Sequence, residues 1–420
     1  MNEPEGSTDS PTRGPAITEA VARLRRTATI RERAVMLLAR ARAGDSAHFT
    51  VDDSALAPAA EHVAAVTRRR YPDLRIPFHS RWRHLEPDGI ARLAWLDEVL
   101  GAVDTAERAR ARIDLAVVSV LLDAGAGAGW RFREPRTGLE LGRSEGLALA
   151  SLHAFLGGLF SGDPARPARC DAQALALLDA DALAVAFQAG RGNPLVGLEG
   201  RAQLLRRLGR ALLDRPDVYG PAARPGGLYD HLLRVRPQGP GAHDILSVLL
   251  DSLSGIWPAG QSLAGVPLGD CWPMPAAHGP GASDGWMPFH KLSQWLTYSL
   301  LEPFAWAGVS VGGLEALTGL PEYRNGGLLL DHGVLRLREP AQAGRVHTPG
   351  EPLVVEWRAL TVALLDELAP RVLAGLGPQA TGLPLACVLE GGTWAAGREL
   401  AAQRRGGLPP LAIDSDGTVF

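Results

Sequence analysis

The sequence predicts a mainly α-helical protein: apolar residues recur three and four apart along most of it, period-two alternation is scarce, and Pro/Gly clusters cut it into helix-sized pieces. With 420 residues, 46% of them hydrophobic, the chain can bury a full core. Ile17, Val21 and Leu24, continued by Val35 and Leu38, mark the first helical stretch. Further helices are expected at about 53–69, 87–103, 106–124, 144–160, 172–188, 198–214, 243–255, 287–306, 353–375 and 393–404. Thr105 and Ser144 read as N-caps, while Gly125 and Gly377, the latter followed by Pro378, read as C-terminal stops. Only 327–338 and 409–420 carry partial strand character. The breaks at 162–168, 216–227, 237–242, 258–285 and 340–352 are too short or too apolar to be interdomain linkers, and no internal repeat is visible. The expected organisation is a disordered lead, 1–15, followed by one compact multi-helix domain, 16–420. The 258–285 break, flanked by Trp257 and carrying Trp272, must pack on something, and such loops often cover sites.

Composition narrows the class of partner. A net charge of −3, from 43 basic and 46 acidic residues, gives no electrostatic reason for a nucleic-acid or membrane surface and favours a small-molecule substrate. Cys170, Cys271 and Cys387 are odd in number, far apart and not in CxxC spacing, which implies neither a disulfide framework nor a zinc ribbon and fits a reducing cytoplasm. The polar N-terminus lacks a signal-peptide pattern, and no apolar run is long enough to span a bilayer.

Of the 43 basic residues 42 are arginine, and the single lysine is Lys291. A chain that writes arginine wherever either cation serves keeps a lysine where a compact, titratable ammonium is wanted, or by chance on a solvated face. Lys291, Gln294, Trp295 and Tyr298 follow i, i+3, i+4, i+7 spacing and therefore share a helix face. That face reads as a pocket wall, with Trp295 enclosing, Gln294 and Tyr298 hydrogen-bonding, and Lys291 meeting an anion or a leaving group. The alternative is an amphipathic helix whose indole packs while its polar groups are solvated.

The segments MPFHKLSQWLTYSLLEPF (287–304) and LTGLPEYRNGGLLLDHGVL (317–335) resemble the uracil catabolism protein 4 family. So do IPFHSRWRHL (76–85), DLAVVSVLLDAGAG (114–127), RSEGLALASL (143–152), EGGTWAAGRE (390–399) and PPLAIDSDGTVF (409–420), which extends the resemblance over nearly all the chain beyond about residue 16. It implies a part in ribosylurea-type uracil degradation. A more distant similarity is to the nucleosidase family that salvages queuosine 5′-phosphate, whose YKRAQ helix, LTxFADYRxPQxLxxLGVL strip and EIRA helix correspond to HKLSQ (290–294), 317–335 and EWRA (356–359). On that similarity Lys291 and Gln294 stand for the motif Lys and Gln, and Glu322 for its catalytic-type Asp. Tyr323 and Arg324 stand for its Tyr-Arg pair, Glu356 and Arg358 for its later acid and base, and the implied architecture is helical and DNA-glycosylase-like. The chain departs from the pattern at Ser299, where an Asp is expected, and at Gly326 and Gly327, which replace Pro-Gln. A second carboxylate is then missing, or displaced to Glu302 or Asp331.

Breaking a ribosyl C–N bond passes through an oxocarbenium-like state and needs a carboxylate beside the anomeric carbon and a donor for the departing nitrogen. Glu322 is the candidate for the first role, in a turn-like LPEYRN stretch where it could equally be a helix N-terminal charge or an ion-pair partner of Arg324. Lys291 and Asp331 complete the candidate catalytic set. His290, Gln294, Trp295, Tyr298, Tyr323, Arg324, Glu356 and Arg358 are candidate substrate contacts. For an anionic group the candidates are Thr393 after Gly391 and Gly392, with Arg398 following, and the Arg81, Arg83, His84 cluster around Trp82. Two motifs are set aside. LAIDSDGTVF looks like a phosphatase DxDGT, with Asp414 and Asp416, but the α/β chain and the lysine that fold needs after the motif are not in these 420 residues. Cys271, His278 and His290 have no metal-ligand spacing, so no metal is expected. The expected activity is cofactor-free hydrolysis of ribosylurea, as its 5′-phosphate, to urea and ribose phosphate. The alternative is a non-catalytic protein that binds a metabolite of the same pathway. For an amidohydrolase no nucleophile–base pair is present.

Overall fold

A 25-residue helix, Pro352–Leu376, organises the fold. Its first half is apolar nearly all round and is buried from Leu353 to Leu365 without interruption, while Pro370, Arg371, Ala374 and Gly375 in its last turns are exposed. In this computed structural model, which describes residues 14–123, 125–127, 129–257 and 261–414, the helix packs on Thr27–Arg42 and Leu56–Arg70. Gly377, at φ 91°, ends it directly before Pro378, as the sequence predicts. Around it, Lys291–Trp306 packs on Thr105–Leu121 and Ala242–Leu253, Leu198–Asp214 on Ala172–Leu177, and Tyr323–Asp331 on Trp394–Arg405. One contiguous apolar core joins these elements from Ile30 to Leu411. Among the described residues β-structure is limited to five two-stranded pairs of two to four residues a strand, and no helix is long and apolar enough to cross a membrane.

Several boundaries move for local reasons. The helix expected at 172–188 is two, Ala172–Leu177 and Ala180–Ala186, because Asp171 and Asp179 each cap a new start. Asp104 caps Thr105–Leu121, and Gly142 precedes Arg143–Leu156, so Thr105 and Ser144 lie inside their helices. The 87–103 stretch is helical only over Leu93–Leu100. The 258–285 break holds the hairpin Gln261–Leu263/Val266–Gly269, and Cys271–Pro273 pairs with Trp286–Pro288.

Strand character was expected over 327–338, yet Tyr323–Asp331 is helical, capped by Glu322, and only Leu335–Leu337 is strand. The anion candidates Gly391, Gly392 and Thr393 do not open a helix. They instead lie inside a continuous helical run, as the π-helical turn Leu389–Thr393 between Leu385–Val388 and Trp394–Arg405. The glycines are there for packing: a Cβ at Gly392 would fall 2.5 Å from Thr67 Oγ1. Of the two acids in the C-terminal DSD, Asp414 donates its N–H to His347 O at 2.7 Å and Asp416 lies outside the described residues.

The Tyr323–Asp331 helix approaches Trp394–Arg405 so closely that a Cβ on Gly397 would stand 2.1 Å from the Arg324 carbonyl oxygen. That contact is backbone and cannot swing away. Gly397→Ala should therefore lower stability by about 1–3 kcal/mol and displace Arg324. Gly200→Ala, on a helix with nothing within 4 Å of the added carbon, should be neutral or slightly stabilising. Thermal melts of the two variants check this, and equal melting temperatures would remove the steric role of Gly397.

Candidate active site

The site is assembled on one buried ion pair. Arg358, from the central helix, meets Asp270 through two parallel bonds, Nη1 to Oδ1 and Nη2 to Oδ2, both 2.7 Å. The Asp270 carbonyl accepts the N–H groups of Phe289 and His290, and its Oδ2 accepts that of Lys291 at 3.0 Å. Asp270 thus satisfies donors at the entry to the Lys291–Trp306 helix. The other side of Arg358 reaches the neighbouring segment, where Nε donates to Pro321 O at 3.3 Å, one residue before Glu322. The two acid–base candidates are therefore held by one cation.

Above this brace lies a cavity of about 320 Å³. Its wall takes Lys291, Leu292 and Trp295 from the start of one helix, Leu320 with Glu322, Tyr323 and Arg324 from the start of a second, and Arg143 with Ser144 from the start of a third. His79, His84, Asp123, Gly125, Ala126, Gly127, Trp394, Gly407 and Pro409 complete it.

Lys291 is buried, and among the described residues its ammonium makes no hydrogen bond or salt bridge. Burial pulls its pKa below the ordinary lysine value, with the charge of Glu322 the largest influence in the opposite direction. Glu322 caps the Tyr323–Asp331 helix with both oxygens, Oε2 accepting Arg324 N–H at 2.7 Å and Oε1 accepting Asn325 N–H at 2.6 Å. The cap fixes the carboxylate at the cavity edge. Burial raises its pKa, and the two N–H bonds and Lys291 offset only part of that. A second carboxylate enters from Asp123, whose Oδ2 pairs with Arg81 Nη1 at 3.0 Å while Oδ1 has no hydrogen-bond partner among the described residues.

Part of the wall is aromatic. His79 and His84 both lie against Trp295 and Trp394, with ring centroids 5.9–6.4 Å apart. The π-helical turn carries Glu390, which accepts from His79, Arg70 and Tyr71 and, despite burial, is held at a pKa of about 2 by His79 and Arg70. The same turn delivers Trp394 to the cavity.

Of the residues singled out from sequence, the cavity gathers His84, Lys291, Trp295, Glu322, Tyr323 and Arg324. The shared face of Gln294 and Tyr298 is divided from it: Gln294 bonds both ways with Thr318 and Tyr298 O–H donates to Thr318 O. Asp331 is not at the cavity but binds Arg405 through both oxygens at 2.8 and 2.7 Å. Glu302 is taken by Ser80 and Arg83, and Glu356 faces Ser46 on another side of its helix. Arg81 supports Asp123 from behind, Arg398 pairs with Glu145 and lies over Trp394, and Thr393 is buried in the π-helical turn. His290 Nε2 meets Leu24 O at 2.9 Å, whereas His278 is exposed beside Asp284, and no metal-binding cluster occurs among the described residues. Sequence reasoning missed Asp123, His79, Arg143 and Trp394 as wall residues. Asp123 carried a signal: an acid just past a helix C-terminus is opposed by the helix dipole, and glycines follow it in DAGAGAG.

Burial, then the charge of Arg81, lowers the His84 pKa from 6.5 to about 4. The unfolded imidazole binds its proton near pH 6.5 and the folded one only near 4, so between them the unfolded chain holds more protons. Stability should thus be fully present above about pH 6.5 and fall as pH drops towards 4. Melting temperature against pH should decline less steeply in His84→Gln, and parallel declines would remove His84 as the source.

Residues 23–420 match the family described as "Protein of unknown function (DUF1688)". The chain is 40% identical over 415 residues to "Protein urg3" of Schizosaccharomyces pombe, covering 96% of this chain and 100% of that protein. It is 37% identical over 411 residues to "Uracil catabolism protein 4" of Lachancea kluyveri, covering 90% and 93%. The family match contains every residue of the brace and of the cavity wall, from His79 to Pro409. The chain belongs to the DUF1688 family.

Proposed function

We propose that this protein acts in uracil catabolism as a hydrolase of a ribosyl N-glycosidic bond, releasing urea from ribosylurea or its 5′-phosphate. The pathway rests on the relative named "Uracil catabolism protein 4". The reaction rests on one observation: two carboxylates, Glu322 and Asp123, share an aromatic-walled cavity with the chain's single lysine. As the C1′–N bond breaks, its electron pair leaves with the urea nitrogen, which takes a proton from the Lys291 ammonium. The lowered lysine pKa suits that transfer. Positive charge develops on the ribosyl ring, and the Glu322 carboxylate, fixed by two N–H bonds, stabilises it without reorganising. Water adds to C1′ and gives its proton to the Asp123 carboxylate, which lines the cavity. The proton then returns to Lys291 through solvent, and atoms and charge balance. Trp295 and Trp394 enclose the flat urea group and exclude bulk water.

Incubation with synthetic ribosylurea 5′-phosphate should release urea, and its absence would sink the reading. Glu322→Gln and Asp123→Asn should each reduce turnover by roughly a hundredfold or more with binding little changed. Glu322→Gln should also cost about 1 kcal/mol of stability through its cap, so melting temperature and urea release need to be read on the same sample. Lys291→Arg should fold, because the brace bonds the Lys291 backbone, but should lose turnover, since a guanidinium does not give up a proton near neutral pH. Wild-type urea release in that variant would remove Lys291 from the proton path.

A further inference from the structure

Most arginines around the cavity are matched to acids: Arg81 to Asp123, Arg83 to Glu302, Arg358 to Asp270, Arg398 to Glu145 and Arg405 to Asp331. Two are not. Arg143 and Arg324 both line the cavity, and among the described residues neither has a carboxylate within salt-bridge distance. They converge on Gly407. Arg324 Nη1 donates to its carbonyl at 3.2 Å, and Arg143 Nη2 and Nη1 stand 3.4 and 3.6 Å from where its Cβ would be. Arg324 is only 6% exposed and its Nε has no hydrogen-bond partner, a costly state for a buried donor on a cation. Arg143 holds φ 53°, a left-handed backbone that a non-glycine residue adopts at a cost. It opens the 14-residue helix Arg143–Leu156, whose N-cap, Gly142, has no side chain to offer.

Two unmatched guanidiniums at one glycine, beside an uncapped helix start, ask for an anion with several acceptors. A carboxylate satisfies one planar fork. A phosphate monoester dianion presents three oxygens and accepts from two forks and a helix N-terminus together. We propose that Arg143 and Arg324 form the phosphate site of this cavity, so that the ligand is a sugar phosphate and the unphosphorylated ribosyl compound is excluded. The site rests on the proposed reaction only for the ribosyl part of its ligand.

Calorimetric titration of the intact protein with ribose 5-phosphate, ribose and inorganic phosphate tests the site without turnover. Ribose 5-phosphate should bind and ribose should not. Arg143→Gln, an exposed position that should fold normally, and Arg324→Lys, which keeps the charge but not the fork, should each weaken the sugar phosphate about tenfold to a hundredfold. This pattern supports the phosphate site even where no urea is released, an outcome that sinks only the proposed reaction. Equal binding of ribose, inorganic phosphate binding as tightly as ribose 5-phosphate, or affinity unchanged in both variants would overturn it. So would equal rates of urea release from ribosylurea and its 5′-phosphate, with the proposed reaction left standing.

Discussion

The buried Asp270–Arg358 pair is the constraint on which the site depends. Such a pair contributes little net stability over apolar residues of the same shape, because two charges must first leave water. Its use is registration. Asp270 accepts three backbone N–H groups at the entry to the Lys291 helix, and Arg358 holds the carbonyl that precedes Glu322. Arg358 also lies 4.0 Å from the Phe289 ring centroid and springs from the uninterruptedly buried Leu353–Leu365 stretch of the central helix. The stiffness of the core is passed directly to two side chains that come from segments about thirty residues apart.

With those positions fixed, the cavity's electrostatics follow from burial. Buried as they are, Lys291 is less willing to hold its proton and Glu322 less willing to lose one, and each charge is tolerable because the other is near. Asp123 draws its support from Arg81, itself buried. His84 is kept neutral among indoles, so it adds polarity to the wall without adding charge. Donors and acceptors are thus oriented before any ligand arrives, the arrangement in which electrostatic stabilisation is strongest.

Much of this was legible in the sequence. Long periodic helices such as 198–214 and 353–375 appeared at nearly their observed bounds, because many turns of consistent apolar spacing outweigh local noise. The 327–338 stretch was misread because Leu328, Leu329 and Leu330 form an unbroken apolar run after two glycines, which a buried strand and a buried helix share, and the Glu322 cap that decides for helix lies outside that window. Within the site, Lys291 stood out because it is the single lysine, and Glu322 through its turn-like setting. Gln294 and Tyr298 were placed on the right face, but a helical stripe is wide enough to serve two neighbours, and here one edge meets the cavity and the other meets Thr318. His79, Asp123 and Trp394 come from three distant segments, and no spacing rule links them.

Ser299 and Gly326 each have a packing role next to the site. Gly326 is needed because the Trp357 ring lies 2.7 Å from where a Cβ would be, so a larger residue there would push the Glu322-capped helix off the core. Ser299 Oγ accepts the Arg81 N–H at 3.0 Å and its carbonyl accepts Trp82 Nε1–H at 2.7 Å, which anchors the turn carrying Arg81. Arg81 in turn grips Asp123 and Ser119 and donates to the Ser144 carbonyl. An aspartate at 299 would add a charge beside Glu302, whose own carboxyl is already pushed up by burial. The serine at 299 and the carboxylate at 123 are therefore connected through one arginine. Asp123 itself reaches the cavity from just past the end of Thr105–Leu121, the helix that packs against the Lys291 helix.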